Sequence, residues 1–492
     1  MVLLNSKMEG AAIMETAKFI DNEREFLKYF LGTYKYPGIN EENPKVWHKG
    51  SFTEVIANPY CDQQCSYCYI HRHGKELYPL DTRAEKDVQV KHLRMLFDYF
   101  IEHKVFIPNW EIYGGDLFHN GIFWDIMDVF AEKYDEIYAI DPTLFDRFGH
   151  TKDGRVEVVV PNNLSYFAND EYKERLRALR DDLHANHHII LGFSWSTDGK
   201  YAVDSREKKL LSDEYWDDML AFARSIEAGL HPMIAPENVK YWCENYDWWL
   251  EMYEKHNFHD VPKHFQPPML EVRNPEWTDE NLTDYMQFLK HMFDIRLNRF
   301  CEGDIDKMAY HYFVGDGKNG TLPQAHQMDP LKIYANDRQR YDERLSCSMQ
   351  DQMHIVLNDL AIVPCHRLAY EQFRGGYFEF NDEKITDIRP VNPSLYITAK
   401  TFSVSMLPKC FNCDYRFCCM NSCLGANFEK RGELFMVPDE VCNLLRVKYG
   451  FILKMLNETG VLQCALDNNY LNSFEKNWFV STSRKLGYEL NG

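Results

Sequence analysis

Three cysteines lie close together in the stretch CDQQCSYC, near the amino-terminal end of the chain. Cys61, Cys65 and Cys68 offer three thiolates, whereas a structural zinc site takes four ligands, so zinc would also need His71 or His73. Three thiolates on a four-iron cluster instead leave one iron open to a ligand from outside the protein. The residues alone leave both sites possible, and they differ in chemistry because the open iron is free to bind a reactant.

A second group of six cysteines lies between residues 410 and 442. With 14 cysteines among 492 residues, the chain has too few for a disulfide scaffold. Clustered thiols in a reducing compartment are more often metal ligands or catalytic groups than disulfides. A zinc ribbon is the main alternative for this group, although no second well-spaced C-x2-C pair follows the first.

The overall composition excludes several classes of protein. The net charge of −20 argues against a nucleic-acid partner, because phosphate backbones require basic surfaces. No apolar run approaches the ~18 residues of a membrane span, and the first residues are too weakly apolar for a signal peptide. We therefore expect a cytoplasmic protein with no nucleic-acid partner and no membrane partner.

Apolar, β-rich segments alternate with helical segments over the first 300 residues. Strands are predicted at 52–57, 110–113, 155–160, 188–195, 231–235 and 268–272. Helices are predicted near 122–136, 170–184, 213–228, 245–256 and 278–296, and one more places Leu93, Leu96, Phe97, Phe100 and Ile101 on one face. Six strand-then-helix units in series imply a parallel sheet, and the periodicity does not distinguish an open sheet from a barrel.

The three-cysteine stretch resembles the signature of the radical S-adenosylmethionine (SAM) enzymes, C-x3-C-x-aromatic-C, with Tyr67 as the aromatic residue. The resemblance implies that Cys61, Cys65 and Cys68 hold a [4Fe–4S] cluster, that SAM binds its open iron, and that Tyr67 lies by the adenine. In this family, SAM is cleaved reductively to a 5′-deoxyadenosyl radical, which abstracts hydrogen from a substrate. The family also implies a partial (β/α)6 barrel in place of the open sheet.

Other stretches resemble further motifs of the same family. IYGGDLF is similar to its Gly-Gly-Glu stretch with aspartate in place of glutamate, VVVPNNL to its Thr-Asn-Gly strand end, and GFSWSTDGKYAVDSRE to the Ser-x-Asp-Gly stretch of peptide-modifying members. Turn or helix-cap roles remain the alternative for the glycines, for Ser196 and Asp198, and for Asn238 in IAPENV. The SAM contacts implied are Tyr67, Gly114, Gly115, Asp116, Asn162, Ser194, Ser196, Asp198, Arg206 and Asn238.

The C-terminal cysteine spacing, C-x2-C-x5-C-x3-C-x18-C, resembles that of the SPASM domain, in which seven cysteines help to hold two auxiliary [4Fe–4S] clusters. The resemblance implies an outer cluster held by Cys410, Cys413, Cys419 and Cys442. It implies an inner cluster, nearer to SAM, held by Cys347, Cys365 and Cys423. Cys418 offers an alternative register, and Leu360 stands where the family has glycine, which is expected to alter the turn before Cys365.

The inner cluster has only three obvious cysteine ligands. Cys243, Cys301 and Cys464 lack diagnostic spacing and are expected to be small apolar residues. We therefore expect an open or non-cysteine position on that cluster.

The predicted fold class is α/β, a partial (β/α)6 barrel with a loop-rich C-terminal iron–sulfur domain. The predicted domains are an N-terminal helical extension at 1–50, the radical SAM barrel at 51–300, a linker at 301–346, the SPASM domain at 347–445 and a helical tail at 446–492.

Auxiliary clusters suit oxidative chemistry, because they can accept an electron from a substrate radical or bind a substrate thiolate. The expected reaction is thioether or side-chain crosslink formation in a ribosomally made precursor peptide, with flavodoxin or ferredoxin as the reducing partner. The alternatives are a formylglycine-forming sulfatase maturase, radical dehydrogenation or epimerisation of a small molecule, and a non-catalytic iron–sulfur or zinc protein. The sequence singles out no general base.

Overall fold

The structure is a computed structural model that describes most of the chain between residues 46 and 490. The predicted N-terminal helices, most of the linker and Cys347 lie outside the described residues. The described residues are 46–59, 61, 63–78, 85–163, 170–202, 206, 211–257, 269–270, 277–301, 303–307, 309, 349, 352–401, 407–415, 419 and 423–490.

The described residues form a mixed α/β structure that divides into two compact units. The first unit contains the described residues of 1–64, 68–194 and 347–402, and the second contains those of 65–67, 195–346 and 403–492. These units do not coincide with the predicted domains. The described residues of 347–402, part of the predicted SPASM segment, belong to the same unit as the first strands. The predicted domain boundaries themselves stay predictions.

Apart from the first and the third, which form a separate parallel pair, the strands of the first unit build one large sheet. The strands of the chain are β1 (His48–Lys49), β2 (Phe52–Ile56), β3 (Val105–Phe106), β4 (Asn109–Tyr113), β5 (Val156–Asn162), β6 (Ile189–Trp195), β7 (Gly229–Leu230), β8 (Met233–Ile234), β9 (Met269–Leu270), β10 (Gln352–Val356), β11 (Ala361–Val363), β12 (Gly376–Phe380) and β13 (Ile385–Pro390). The sheet order is β13-β12-β11-β10-β2-β4-β5-β6. Strands β10, β2, β4 and β5 pair in parallel, whereas β10 to β13 pair antiparallel.

The helices agree with the periodicity of the sequence. They are α1 (Tyr69–Leu77), α2 (Lys86–Glu102), α3 (Ile122–Ile140), α4 (Thr143–Phe148), α5 (Asp170–Asn186), α6 (Asp213–Ser225), α7 (Trp242–Lys255), α8 (Asp279–Cys301), α9 (Pro393–Thr401), α10 (Pro408–Phe411), α11 (Leu424–Arg431), α12 (Asp439–Glu458), α13 (Val461–Asp467) and α14 (Ser473–Lys485). All five apolar residues predicted for one face of α2 are buried. Each helix predicted between residues 90 and 300 is present.

One face of the sheet is covered by helices of the same unit. Trp110 of β4 is fully buried, and its ring centroid lies 5.0 Å from that of Phe97 in α2 and 5.3 Å from that of Phe130 in α3. Because side chains alternate along a strand, Glu111 and Tyr113 point to the opposite face. That face carries the polar residues described below.

Residues 352–390 differ from the loop-rich structure expected for them. They form four strands, and β10 pairs in parallel with β2 in the register Gln352 to Phe52. Each strand is six residues long or shorter, and the alternation in β12 and β13 is interrupted by the polar turn NDEK. Short strands of this kind give too little periodicity to be recognised in a sequence window.

The second unit contains the short parallel pair β8–β9 and helices from α6 to α14 other than α9. The fifth predicted strand, 231–235, is reduced to β8, and the sixth is described only as β9. Helix α6 begins at Ser212, whose hydroxyl accepts the amide hydrogen of Tyr215, and α14 begins with a capping box between Asn472 and Glu475. In the described part of the chain, no helix is long and apolar enough to cross a membrane.

Candidate functional site

The predicted Gly-Gly-Asp motif forms a tight turn at the carboxyl end of β4. A Cβ atom on Gly114 would lie 2.7 Å from the carbonyl oxygen of Asn58, so glycine is required by close backbone approach. The amide of Gly115 donates to the same carbonyl at 2.8 Å, and the side-chain amide of Asn58 donates to the Asp116 carbonyl at 2.7 Å. Asn58, three residues before Cys61, is thus tied to the motif.

The Asp116 carboxylate is buried and engaged by protein groups. It accepts the amide hydrogen of Phe118 at 2.8 Å and a hydrogen from the Asn163 side chain at 3.3 Å. Asn162, the predicted residue beside Asn163, is buried at the end of β5 and donates to the Val160 carbonyl at 3.2 Å. Asp116 therefore organises the strand ends, and Asn163 is a partner that the sequence did not single out.

A buried polar network in the second unit joins predicted SAM contacts that are far apart in sequence. The Tyr67 hydroxyl donates to the Asp198 carboxylate, with distances of 3.0 and 2.9 Å to its two oxygens, across 131 positions of the chain. The Arg206 Nε atom donates to the Tyr67 hydroxyl at 3.0 Å and lies 3.8 Å from Asp198. The Arg206 guanidinium also lies 5.5 Å from the Tyr67 ring centroid, within the range of a cation–π contact.

Asp198 is the centre of this network and is fully buried. Its carboxylate also accepts the Met233 amide hydrogen at 3.0 Å and a long hydrogen bond of 3.5 Å from Asn238. The Asn238 side chain accepts hydrogens from the Ala235 amide at 2.8 Å and the Trp242 indole at 2.9 Å. Each of these buried polar groups needs hydrogen-bond partners, and each finds them within the network. The network therefore fixes the relative positions of its members.

The backbone of the predicted Ser-x-Asp-Gly stretch is clamped by two residues that the sequence did not single out. Asn245 and Trp249, in α7, donate to the Asp198 carbonyl at 2.7 and 3.3 Å. Gly199 has a φ of +107°, and a Cβ atom there would lie 2.6 Å from both Asn245 and Trp249. No spacing rule links residue 198 to α7, so only the packed structure identifies the clamp.

The predicted serines precede Asp198 in the sequence by four and two residues. Ser194 is on β6, its backbone described with the first unit, and Ser196 belongs to the second unit; both are half-buried. Tyr67, Asp198, Arg206 and Asn238 are therefore brought together in one network, and Gly114, Gly115, Asp116 and Asn162 surround the strand ends of the first unit.

The three-cysteine segment has little regular structure. Cys61 is exposed, Cys65 is buried, and Cys68 is half-buried and occupies the N-cap position of α1. The helix dipole favours negative charge at an N-terminus, which suits a thiolate. Among the described residues, no group of three or more His, Cys, Asp or Glu side chains is arranged to hold a single metal ion.

The four cysteines predicted for the outer cluster line one cavity in the second unit. Cys410 lies in α10, Cys413 follows it, and Cys442 lies in α12. Tyr415 and Tyr449 also face the cavity, and the full lining is Lys409, Cys410, Cys413, Tyr415, Cys419, Val437, Cys442, Leu445, Arg446 and Tyr449. A cavity lined by four thiols, two of them from the turn Cys410–Cys413, fits a multi-iron cluster.

Burial favours the neutral form of two thiols in this cavity. Burial, together with the neighbouring Cys442 and Cys413, raises the pKa of the Cys410 thiol to about 11, and burial also raises the pKa of Cys442. Lys409 and Arg446 oppose both shifts. A bound metal cluster would have to displace the thiol protons and would then supply the positive charge that buried thiolates need.

The remaining predicted ligands are placed separately. Cys365 is buried in the first unit, immediately before a 3-10 helix at His366–Leu368. In the second unit, the Cys423 sulfur caps α11 and accepts the Ala426 amide hydrogen at 3.4 Å. Cys464 is half-buried and donates to Asp306 at 2.7 Å, so the expectation of a small apolar role does not describe it.

The sequence matches no protein-family model and no curated protein. In structure, the chain is similar to SuiB from Streptococcus suis bound to S-adenosylmethionine (TM-score 0.42, 12% identity, covering 80% of this chain and 76% of SuiB). It is similar to SuiB bound to the precursor peptide SuiA (0.43, 14%, 80% and 76%) and to a third SuiB structure (0.43, 13%, 80% and 78%). TM-scores below 0.5 leave this likeness too weak to carry an assignment.

Proposed function

We propose that the protein is a radical SAM enzyme that oxidatively modifies a peptide or protein. The observation that carries the proposal is the buried network of Tyr67, Asp198, Arg206 and Asn238. The sequence resemblance implies that all four residues contact one cofactor. Such convergence of distant motif residues is expected of a shared binding site and not of unrelated turns.

In this proposal, the network holds the cysteine loop in shape. Tyr67 lies between Cys65 and Cys68, and its hydroxyl is tied to Asp198 and Arg206. Its ring therefore has a fixed position from which to pack against an adenine. Asp198 is saturated by protein donors, so we assign it to positioning Tyr67 and not to direct SAM contact.

Cys61, Cys65 and Cys68 would hold the SAM-binding cluster, which supplies the electron for cleavage of SAM when it is bound. The C-terminal thiols would hold the outer auxiliary cluster, with Cys347, Cys365 and Cys423 on the inner one. The partial (β/α)6 barrel and the SPASM domain belong to this proposal. So do a cytoplasmic location and a flavodoxin or ferredoxin reductant, because such clusters require a low-potential electron source.

The proposed reaction is formation of a thioether or a side-chain crosslink in a ribosomally made precursor peptide. It removes two hydrogens from the substrate, one as a hydrogen atom and one as a proton, and passes one electron to an oxidised iron–sulfur cluster. The two auxiliary clusters that the cysteines support favour this net oxidation over a redox-neutral epimerisation.

The first experiment measures cofactor loading and cleavage. Anaerobically reconstituted protein should contain about twelve irons, for three [4Fe–4S] clusters, and form 5′-deoxyadenosine from SAM and dithionite. The matched variant Cys65→Ala should lose about four irons and all cleavage. Loaded wild-type protein that forms no 5′-deoxyadenosine would contradict the proposal.

The second experiment identifies the bond. Short peptides encoded beside the gene are incubated with the loaded enzyme, SAM and reductant, and are analysed by tandem mass spectrometry. A loss of two hydrogens with no fragmentation between two residues indicates a crosslink. A formylglycine residue in a sulfatase peptide would support the maturase alternative instead.

A further inference from the structure

Three aromatic rings in the first unit each lie next to a different predicted motif. Tyr69 follows Cys68, Tyr113 precedes Gly114, and His366 follows Cys365. The three motifs are far apart in the sequence. In the structure, the three rings are in contact, and we refer to Tyr69, Tyr113 and His366 as the Tyr–His stack.

His366 is the centre of the Tyr–His stack. Its ring is nearly parallel to that of Tyr113, with centroids 4.3 Å apart and an interplanar angle of 8°. The Tyr69 centroid lies 5.3 Å from that of His366 and 6.2 Å from that of Tyr113. These separations are typical of attractive aromatic pairs, each contributing about 0.5–1.5 kcal/mol beyond burial.

Polar contacts fix the orientation of the rings. The two carboxylate oxygens of Glu54, in β2, lie 3.0 and 3.1 Å from His366 Nδ1. The Tyr78 hydroxyl donates to the His366 carbonyl at 3.1 Å. The Arg367 guanidinium lies 4.9 Å from the Tyr69 ring centroid. Glu54, Tyr78 and Arg367 are all buried.

Core packing alone does not account for this arrangement. Burying the Glu54 carboxylate and an imidazole costs desolvation energy, and apolar residues of similar size would stabilise a core at least as well. A satisfied buried polar pair instead selects one orientation of the groups it joins. Here the selected orientation holds the segment after Cys68 against the segment after Cys365.

We propose that the Tyr–His stack is a positioning device that fixes the inner-cluster ligand Cys365 relative to the SAM-cluster ligand Cys68. The inference rests on the proposed function, since it takes both cysteines as cluster ligands. The rate of electron transfer between two clusters falls steeply as the distance between them increases. Fixed positions for these two ligands therefore keep the electron-transfer rate constant. The stack moves no electron or proton itself.

The test uses the loaded enzyme and hydrogen–deuterium exchange. Tyr113→Leu removes the ring that stacks on His366. We expect the rate of amide hydrogen exchange to rise at least tenfold in both 68–78 and 365–373. Tyr113→Phe keeps the ring and should stay within twofold of wild type. Tyr138→Leu is the matched control, because Tyr138 stacks on His188 in the same unit at 4.2 Å and 15°, and neither residue adjoins a cysteine in the sequence.

A second readout reports the placement of the clusters. In dithionite-reduced enzyme, the electron spin relaxation of the SAM cluster should change at least twofold in Tyr113→Leu and remain unchanged in the other two variants. A structural defect that leaves cluster placement intact would not move this signal. Unchanged exchange in 365–373, or unchanged relaxation, overturns the proposal.

A milder variant keeps the proposal testable if Tyr113→Leu does not fold. Should Tyr113→Leu fail to bind iron, Glu54→Gln keeps the side-chain shape while removing its charge, and exchange in 365–373 should rise at least threefold. No rise in this variant also overturns the proposal. The proposed function fails separately, through absent iron or absent 5′-deoxyadenosine in the wild-type protein.

Discussion

The two cysteine-rich regions differ in what holds their thiols. In the C-terminal cavity, Cys410 and Cys442 are carried by helices α10 and α12. Among the described residues of the Cys61–Cys68 segment, only Cys68 touches a helix, and buried hydrogen bonds made by Asn58 in the first unit and Tyr67 in the second help to hold it. Removing one partner of a buried hydrogen bond leaves the other partner unsatisfied, so this segment should be more sensitive to single polar substitutions than the helices that carry Cys410 and Cys442.

The largest expected effect separates the two regions by their metal. Cys442→Ala should remove about four irons and the modified peptide while SAM cleavage falls less than tenfold, whereas Cys65→Ala should abolish cleavage. The measurements are iron content and 5′-deoxyadenosine yield. Full loss of cleavage in Cys442→Ala would show that the regions act as one.

The next effect tests the polar anchor of Tyr67. Asp198→Ala leaves the Tyr67 hydroxyl and the Met233 amide without their buried acceptor, at a cost of about 3 kcal/mol in the free energy of unfolding. Asp198→Asn keeps an acceptor oxygen and should cost about 1 kcal/mol. Urea unfolding measures both.

The control for that anchor is Asp217→Asn, which breaks a partly exposed pair with Lys255 at 2.6 Å. It should cost less than ~1 kcal/mol. If Asp198→Ala and Asp217→Asn lowered the free energy of unfolding equally, the buried carboxylate would be no more important for stability than the surface one.

A smaller effect concerns the backbone next to the anchor. Gly199→Ala combines an unfavourable φ of +107° with contacts of 2.6 Å to the α7 side chains, so we expect a loss of about 2 kcal/mol or more. Gly432, at the end of α11, has a φ of +69° but open space around its Cα atom. Gly432→Ala should therefore cost only about 1 kcal/mol by thermal unfolding.

The smallest effect is a pH dependence of the sheet in the first unit. Burial, and then the charge of Glu54, its register partner on β2, raise the pKa of Glu111 to about 8. The folded state therefore binds more protons than the unfolded state from about pH 4.5 to 8, and stability falls as pH rises through that range.

Glu111→Gln should abolish this loss, which we expect to be roughly 1–2 kcal/mol between pH 6 and 8. Thermal unfolding at the two pH values measures it. The control is Glu157→Gln on β5, where Glu157 pairs with His150 at 3.1 Å and is 31% exposed. A wild-type slope retained in Glu111→Gln would locate the titrating group elsewhere.

The sequence was informative where periodicity or spacing is strong. The apolar face of α2 and the first four strands were predicted within a few residues, because each has a clear period. The shared placement of Tyr67 and Asp198 was anticipated only through the family resemblance. Asn245 and Trp249 were missed, because a side chain that caps a distant carbonyl leaves no local pattern.

Leu360 occupies a turn position where glycine was expected from the family resemblance, and the structure explains how leucine fits there. It has a φ of +56° at the turn between β10 and β11, where the family has glycine. A left-handed leucine costs about 1–2 kcal/mol, and its complete burial contributes about 2 kcal/mol in return. Because the left-handed region is the conformation that glycine favours, Leu360 keeps a glycine-like backbone at this turn, and the expected change of the turn stays a prediction.

The parallel pairing of β2 with β10 has a consequence for synthesis. One edge of β2 is satisfied only when Gln352–Val356 has been translated, although Phe52–Ile56 is made near the start of the chain. At ~5–20 residues per second, the nascent chain carries that unpaired edge for about 15 to 60 s. An unpaired strand edge of this kind can pair with another chain and start aggregation. The yield of folded protein should therefore rise when chaperones are abundant, or when translation is finished before nascent chains collide.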